Sequence, residues 1–145
     1  MALLSLTLAL AHQSASLTLE ELAYKYGTDK AHDDHKYTDL YALLFDPMRS
    51  TLRNFTEIGV AAGQSLQMWY DFFPNARIWG VDSYSPAIGI ARRELRKAHP
   101  SRAIPPKPES TPYDIRVDVL DRVTLLRIKS ERGPAAAGLS ESSMD

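Results

Sequence analysis

The feature that most constrains this chain is a pair of short β-type runs, one followed by a glycine turn and the other ended by an acid. The first run, residues 55–60, leads into Gly63; the second, residues 78–81, ends at Asp82, 19 positions after Gly63. Parallel strands bind ligands in the crevice outside their carboxyl ends. Glycines let the backbone approach a ligand, and a carboxylate can accept hydrogen bonds from both hydroxyls of a ribose. The pattern predicts an α/β unit that binds a nucleoside.

The spacing of the glycines indicates which kind of nucleoside the unit would bind. A dinucleotide fingerprint needs G-x-G-x-x-G, so that helix amides reach a pyrophosphate. Counted from Gly59, the second and third glycine positions hold Ala61 and Gln64, and the segment from Glu57 to Gly63 fits E-x-G-x-A-x-G. A nicotinamide-dependent oxidoreductase is therefore the weaker of the alternatives, although it stays open.

The segment E-x-G-x-A-x-G resembles the first motif of class I S-adenosylmethionine-dependent methyltransferases. Its flanks are similar to the macrolide-sugar O-methyltransferases of the demethylmacrocin and mycinamicin type. The flanking segments that carry this similarity are Tyr26 to Lys30, His35 to Tyr37 with Tyr41, and Ser65 to Ala76. The resemblance covers about residues 19 to 84. It implies a methyltransferase that acts on a hydroxyl of a sugar or another small molecule.

The resemblance also implies which residues meet the cofactor, S-adenosyl-L-methionine. The cofactor-binding set is Glu57, Gly59, Ala61, Gly63, Asp82 and Ser83. Further residues expected to line the pocket are Tyr26, Asp29, Lys30, His35 and Tyr37. No catalytic residue and no metal ligand is assigned, because in the sugar O-methyltransferases the base and the metal-binding carboxylates come from a later half of the domain. A divalent metal is expected only together with that half.

The expected fold is α/β: the N-terminal half of a Rossmann-like doubly wound domain, with strand order 3-2-1 and preceding helices. A capping box at Thr18 opens the first helix, and the third strand is expected over residues 113–120. By its composition and periodicity the chain divides into five segments. They are an apolar segment at 1–17, a partial cofactor-binding domain at 18–99, a proline-rich connection at 100–112, a possible third strand and apolar stretch at 113–130, and a disordered tail at 131–145.

A chain of 145 residues leaves no room for the strands that complete a class I domain on the other side of strand one. We therefore expect a truncated form with an open sheet edge, which favours self-association. The alternative to an enzyme is a catalytically inactive fragment that acts as a binding or interaction module.

Composition narrows the partners. A net charge of −1 and a pI near 6.4 offer no general attraction to nucleic acid or to anionic membranes, so a small-molecule substrate is expected. The apolar start resembles a weak signal peptide, yet no Lys or Arg precedes it, which favours a cytoplasmic over a secretory location. The polar stretch from His32 to His35 is interpreted as a solvated loop and not as a metal site.

Overall fold

The computed structural model describes residues 16–105 and 116–128. The apolar segment up to residue 15, the connection from 106 to 115 and the expected tail from 129 lie outside the described residues. Within them the elements follow one another along the chain in the order α1 (Leu19–Tyr26), α2 (Tyr37–Phe45), β1 (Asn54–Ile58), α3 (Gln64–Phe72), β2 (Arg77–Asp82), α4 (Ser85–Ala98), β3 (Arg116–Leu120) and β4 (Val123–Arg127). Short 3-10 turns follow α2 and α4.

Local sequence signals account for the limits of α1. The Thr18 side chain accepts a hydrogen bond from the backbone N–H of Glu21, and the Glu21 carboxylate accepts one in return from the Thr18 N–H. This capping box satisfies two amides that the first helical turn leaves without partners. At the other end Gly27 takes the left-handed conformation, with φ of 62°, and its N–H bonds back to the last turn. Helix α1 therefore begins and ends where the sequence predicts.

The sheet has the strand order β1-β2-β4-β3. Strands β1, β2 and β4 are parallel, whereas β3 pairs antiparallel with β4 at the edge. The predicted fold class is thus confirmed, and its order 3-2-1 holds for the three parallel strands. The third place belongs to β4, however, and the stretch expected to fill it forms the antiparallel edge strand β3. A tight turn at Asp121 and Arg122 reverses the chain, and the Arg122 carbonyl accepts a hydrogen bond from the Ile78 N–H at the start of β2.

Helices α2, α3 and α4 pack on one face of the sheet, which we call the covered face, and α1 packs on α3. Both crossovers, β1-α3-β2 and β2-α4-β4, step in the same direction along the sheet, and right-handed crossovers of this kind place their helices on the same side. The strand residues that point to the covered face are Phe55, Glu57, Ile78, Gly80, Val117, Val123 and Leu125. Helices on one side are what half of a doubly wound domain should have.

The opposite face, which we call the open face, carries no helix within the described part of the chain. Successive strand residues alternate between faces, so its residues follow from the register: Asn54, Thr56, Ile58, Arg77, Trp79, Val81, Arg116, Asp118, Thr124 and Leu126. Ile58 is 85% exposed. Parallel sheets are normally covered on both faces, whereas the helices among residues 16–105 and 116–128 cover one face of this sheet.

Aromatic packing joins α2 and α3 to β1. The buried Trp69 ring lies 4.7 Å from Phe55 and 5.7 Å from Phe45, measured between ring centroids, and stacks on Phe73 at 5.8 Å. Arg122 holds the C-terminal end of α3, because its guanidinium donates to the carbonyls of Tyr70, Phe73 and Ala76 at 2.7–2.9 Å.

Among the described residues, none of the helices has the length and the apolar character needed to span a membrane.

Candidate functional site

The turn after β1 has an unusual backbone. Gly59, Ala61 and Gly63 all have positive φ, of 83°, 44° and 85°. A residue that has a side chain rarely adopts a positive φ without strain, so the surrounding structure must hold the backbone of Ala61 in this conformation. Gly59 and Gly63 differ in the space around them. A Cβ atom at Gly63 would lie 3.0 Å from the Ala91 Cβ, whereas one at Gly59 would meet nothing within 4 Å. Gly63 therefore permits close packing of α4, and Gly59 permits the turn itself.

Asp82 ties the end of β2 to this turn. One carboxylate oxygen accepts a hydrogen bond of 2.9 Å from the Val60 N–H, and the other accepts one of 2.8 Å from the Tyr84 N–H. The two predicted parts of the site, the glycine turn and the acid, are consequently neighbours. A carboxylate has about four acceptor positions in all, so each oxygen keeps one for a further donor.

A pocket of about 330 Å³ opens between the turn and the loop that follows α1. We call it the turn pocket. Its lining is formed by Gly27, Thr28, Asp29, Lys30, Gly59, Val60, Ala61, Ala62, Gln64 and Ser65. Small-molecule sites in proteins begin at roughly this volume. The pocket lies at the carboxyl end of β1 and at the start of α3, where the positive end of the helix dipole favours an anionic group.

Glu57 lies at the base of this region and is 8% exposed. Its carboxylate accepts a hydrogen bond of 2.8 Å from the Ser65 hydroxyl, and the Lys30 ammonium lies 3.3 Å away. Burial raises the pKa of the Glu57 carboxyl above its ordinary value, while the Ser65 hydrogen bond and the positive charge of Lys30 oppose this shift. Lys30 is also 3.6 Å from Asp29, and its side chain is only 19% exposed. Lys30 and Glu57 therefore form a partly buried ion pair beside the turn pocket.

The residues predicted from the sequence fall into three groups in space. Asp29, Lys30, Gly59 and Ala61 line the turn pocket directly. Glu57, Gly63 and Asp82 support its wall through the contacts described above. Ser83 is exposed beside Asp82 and does not line this pocket. Their roles toward a cofactor stay predictions.

The remaining three predicted residues lie around the pocket and do not line it. His35 is exposed; its ring nitrogen lies 3.8 Å from the Asp29 carboxylate, and its ring is 5.3 Å from that of Tyr37. Tyr37 lines a separate groove of about 430 Å³ between α2 and β1, which we call the α2 groove. Lys30 and Gly59 line both the α2 groove and the turn pocket, so the two cavities are adjacent.

Tyr26 points away from the turn pocket into a network behind it. Its hydroxyl donates to the Asp71 carboxylate, which also pairs with Lys25 at 2.8 Å. Burial and the Asp71 hydrogen bond raise the pKa of Tyr26 to about 12. Burial alone would raise the pKa of Asp71, but the donors from Lys25 and Tyr26 hold it below its ordinary value. This network joins α1 to α3.

Sequence reasoning missed the role of Ser65. Its position, second in α3 and eight residues after Glu57, holds the hydroxyl against the carboxylate. Thr28, Ala62 and Gln64 are further lining residues that no motif singled out individually. The signal available was proximity to the glycine turn, because the first helical turn after it must border any ligand there. Within residues 16–105 and 116–128, no group of three or more His, Asp or Glu side chains is placed to hold a metal ion.

Comparison with known proteins confirms the resemblance to sugar O-methyltransferases. An L-olivosyl-oleandolide 3-O-methyltransferase of Streptomyces antibioticus is 28% identical over an alignment of 113 residues, which covers 69% of this chain and 29% of that protein. An 8-demethyl-8-(2-methoxy-alpha-L-rhamnosyl)-tetracenomycin-C 3'-O-methyltransferase of Streptomyces olivaceus is 35% identical over an alignment of 79 residues, which covers 50% of this chain and 20% of that protein. The chain thus spans less than a third of the length of these relatives. No family model matches the sequence.

The search of solved structures finds the MycE methyltransferase from the mycinamycin biosynthetic pathway, in complex with Mg, SAH and mycinamycin VI. The identity is 35%, the alignment covers 49% of this chain and 21% of that one, and the TM-score is 0.45. Another structure of the same enzyme, with Mg and SAH in crystal form 1, gives a TM-score of 0.46.

Proposed function

We propose that this chain binds S-adenosyl-L-methionine in the turn pocket and is an O-methyltransferase-like protein for a hydroxyl of a sugar or another small molecule. The observation that carries the proposal is the hydrogen bond that the Val60 N–H donates to Asp82, because it joins the acid to a residue that lines the turn pocket. The similarity to O-methyltransferases supports the proposed reaction class, and the turn pocket is the proposed site of the cofactor.

The residues present fit such a cofactor. Asp82 keeps acceptor capacity for the ribose hydroxyls, and the positive φ of Gly59 leaves the backbone without a side chain at the pocket wall. Glu57 lines the adjacent α2 groove, where its carboxylate is paired with Lys30, a residue that lines both cavities. When bound, the cofactor would supply a methyl group on a positively charged sulfur. The chain's own task is to bind and orient it, because a displacement reaction depends on alignment.

Calorimetric titration with S-adenosyl-L-methionine and with S-adenosylhomocysteine tests this assignment. We expect both ligands to bind the native chain and Asp82→Ala to lose binding. Asp118→Ala is the matched control, since Asp118 lies on the open face in the edge strand β3, where it contacts Thr124 and Arg116. Circular dichroism must show that Asp82→Ala is folded, and Asp82→Asn serves as a second variant if it is not. Equal affinity in native and folded variant chains would refute the role of Asp82.

The same titration with NAD and NADP separates the alternative of a nicotinamide oxidoreductase. The glycine spacing lacks the third glycine of that fingerprint, and Gln64 lies in its place on the pocket wall. We expect no heat of binding with either dinucleotide. A dissociation constant for NAD below that for S-adenosyl-L-methionine would replace the proposed function with the alternative.

A second candidate function is that of an interaction module without catalysis. It is favoured by the open face, on which Ile58 is 85% exposed within the described part of the chain. We propose residues 18–99 as the cofactor-binding part in either case. A methyl-transfer assay with glycosylated acceptors, read by mass spectrometry, distinguishes the candidates. An enzyme should raise the mass of the acceptor by about 14 units, the net gain of one CH₂ group, whereas a module that only binds the cofactor should leave the acceptor unchanged.

A further inference from the structure

We propose that His99 is an acid-sensitive switch at the C-terminal end of α4: the neutral imidazole holds this helix end against α1 and α3, and the protonated imidazole releases it. The proposal concerns the network behind the turn pocket and does not rest on cofactor binding. It commits to one chemical event, the addition of a proton to the His99 ring. It also commits to one structural result, the local opening of the last turn of α4 and of the 3-10 turn Pro100–Arg102.

The backbone of His99 joins these two turns. Its N–H donates to the Leu95 carbonyl at 3.0 Å, which closes the last turn of α4, and its carbonyl accepts from the Arg102 N–H at 3.0 Å. Leu95 is buried in the core, so this helix end is part of the packed structure. Because both turns bond to the same residue, a movement of His99 acts on both.

Two tyrosines enclose the His99 ring. Its centroid lies 4.7 Å from that of Tyr70 on α3 and 6.0 Å from that of Tyr26 on α1. The Nε2 atom is buried and has no hydrogen-bond partner among residues 16–105 and 116–128. An imidazolium has an N–H donor on each nitrogen and a positive charge, and burial of an unpaired charge costs far more than burial of a neutral ring. The position therefore suits the neutral form.

Charged groups from each neighbouring element act on this preference. Lys25 of α1 and Arg122 of the turn between β3 and β4 oppose a positive charge on the ring, whereas Asp71 of α3 and Asp121 of the same turn favour one. Burial is the largest effect, and it lowers the pKa of His99 below the ordinary value of 6.5 despite the opposing charge of Asp71. Protonation thus works against the folded arrangement.

Both carboxylates near the ring already accept hydrogen bonds from other side chains. These donors are Lys25 and Tyr26 at Asp71, and Tyr70 and Arg102 at Asp121. A protonated His99 must therefore either share a carboxylate with two bound donors or reach water. To reach water, the ring has to leave the space between the two tyrosines, and this movement separates the end of α4 from α1 and α3.

The rest of α4 has contacts that keep the opening local. The helix packs on β2, β3 and β4, and its Ala91 lies against Gly63 of the turn. These contacts do not involve the His99 ring. We therefore expect the first turns of α4 to stay closed when the last turn opens, so that the switch acts on one end of the helix that supports the turn pocket.

Hydrogen exchange of the full-length chain, read by mass spectrometry, tests the switch between about pH 7.5 and about pH 5.5, on either side of the ordinary histidine pKa. His99→Phe keeps an aromatic ring between the tyrosines and cannot bind a proton. Native and variant chains are compared at the same pH, so the intrinsic effect of pH on exchange cancels, as does the titration of Glu57.

The open state binds the proton with the ordinary pKa of 6.5 and the closed state binds it less tightly, so acid favours opening. As the pH falls, the opening equilibrium at the end of α4 should rise in the native chain by about three- to tenfold relative to His99→Phe. Tenfold is roughly the limit for one pH unit below 6.5.

Three further variants control and sharpen this experiment. His32→Gln is the matched control, because His32 is an exposed histidine that pairs with Asp39 of α2, and the variant should open like the native chain. His99→Gln, which is polar and uncharged, serves if circular dichroism shows that His99→Phe is unfolded. Lys25→Met removes a positive charge that opposes protonation of the ring, so acid should open this variant less than the native chain.

Titration of the His99 ring by NMR gives an independent reading, with a midpoint expected below 6.5. A midpoint at or above 6.5 would overturn the proposal, because it would show that the protonated ring finds a partner such as Asp71 in the closed structure. Equal exchange in the native and His99→Phe chains at both pH values would show that protonation is not coupled to opening. Acid-induced exchange that rises alike in all helices would indicate global unfolding and no switch at the end of α4.

Discussion

The two tryptophans of this chain show how differently the two faces of its sheet are built. Trp69, on α3, is 2% exposed among aromatic rings of the covered face. Trp79, on β2, points to the open face, and the Arg116 guanidinium lies 5.3 Å from its ring centroid. The same residue type is thus core in one place and a partly exposed surface in the other. Burial in this fold depends on where the crossover helices lie, not on the hydrophobicity of the residue.

The comparison predicts its largest effect for replacement of the two tryptophans. Trp69→Ala should lower the free energy of unfolding by about 3–5 kcal/mol, because it empties a close-packed aromatic cluster. Trp79→Ala should lower it by about 1 kcal/mol or less, since one side of that ring has few protein neighbours. Urea denaturation followed by circular dichroism measures both. Equal losses would show that the open face is covered in solution.

A smaller loss of stability is expected when the two arginines that contact the two faces of the sheet are replaced. Arg122→Met should cost about 2–3 kcal/mol, because three carbonyls at the end of α3 lose a charged donor. Arg116→Met, which removes a contact to Trp79 on the open face, should cost at most about 0.5 kcal/mol. The midpoints of thermal unfolding rank the two. A loss in Arg116→Met as large as that in Arg122→Met would contradict the contrast between the faces.

The two glycines of the turn sharpen the comparison further. Gly63→Ala should destabilise the chain by about 2 kcal/mol, because it combines left-handed strain with a Cβ that meets Ala91. Gly59→Ala should cost about 1 kcal/mol, since only the strain applies there. Chemical denaturation gives both values. A larger cost at Gly59 than at Gly63 would mean that α4 packs differently from the described arrangement.

The smallest effect is a pH dependence that arises from Glu57. Its folded-state pKa is raised by burial, so its contribution to stability is greatest below the ordinary carboxyl pKa of 4.5 and declines as the pH rises through the higher folded value. Glu57→Gln cannot ionise. The free energy of unfolding of this variant, relative to the native chain, should therefore rise with increasing pH over that window.

Denaturation of the native and Glu57→Gln chains between pH 4 and pH 7, an interval set roughly by ordinary carboxyl titration, measures this slope. Asp71→Asn, followed to lower pH, between roughly pH 2 and pH 5, is the matched control, because the pKa of Asp71 is lowered from 3.8 and its stabilisation is lost as the pH falls through that range. The two variants should show slopes of opposite sign. Slopes of the same sign would indicate that the Lys30 charge outweighs the burial of Glu57.

Much of the fold could be predicted from local patterns. Thr18 with Glu21 marked the start of α1, and the run that ends at Asp82 marked β2. The third parallel strand was misplaced because residues 116–120 and 123–127 both have the alternating apolar pattern of a strand. Only the pairing of β4 with β2 distinguishes them, and pairing is a long-range property that periodicity does not contain.

The candidate site was predictable in its backbone and less so in its side chains. Gly59 and Asp82 were identified because turns and strand ends carry local signals. The ion pair between Lys30 and Glu57 joins residues 27 positions apart in the sequence, and it depends on how the loop after α1 lies over β1. The hydrogen bond between Tyr26 and Asp71, 45 positions apart, depends in the same way on how α1 lies against α3.

By itself the sequence determined the periodic elements, the glycine turn and the acid that ends β2, because each depends on neighbours within a few residues. The tertiary structure alone decided which strand is third in the sheet, which face the described helices cover and which strands lie at the edges of the described sheet. Those properties arise from the direction of the crossovers and from hydrogen bonds between distant strands. They exist only once the chain has come together.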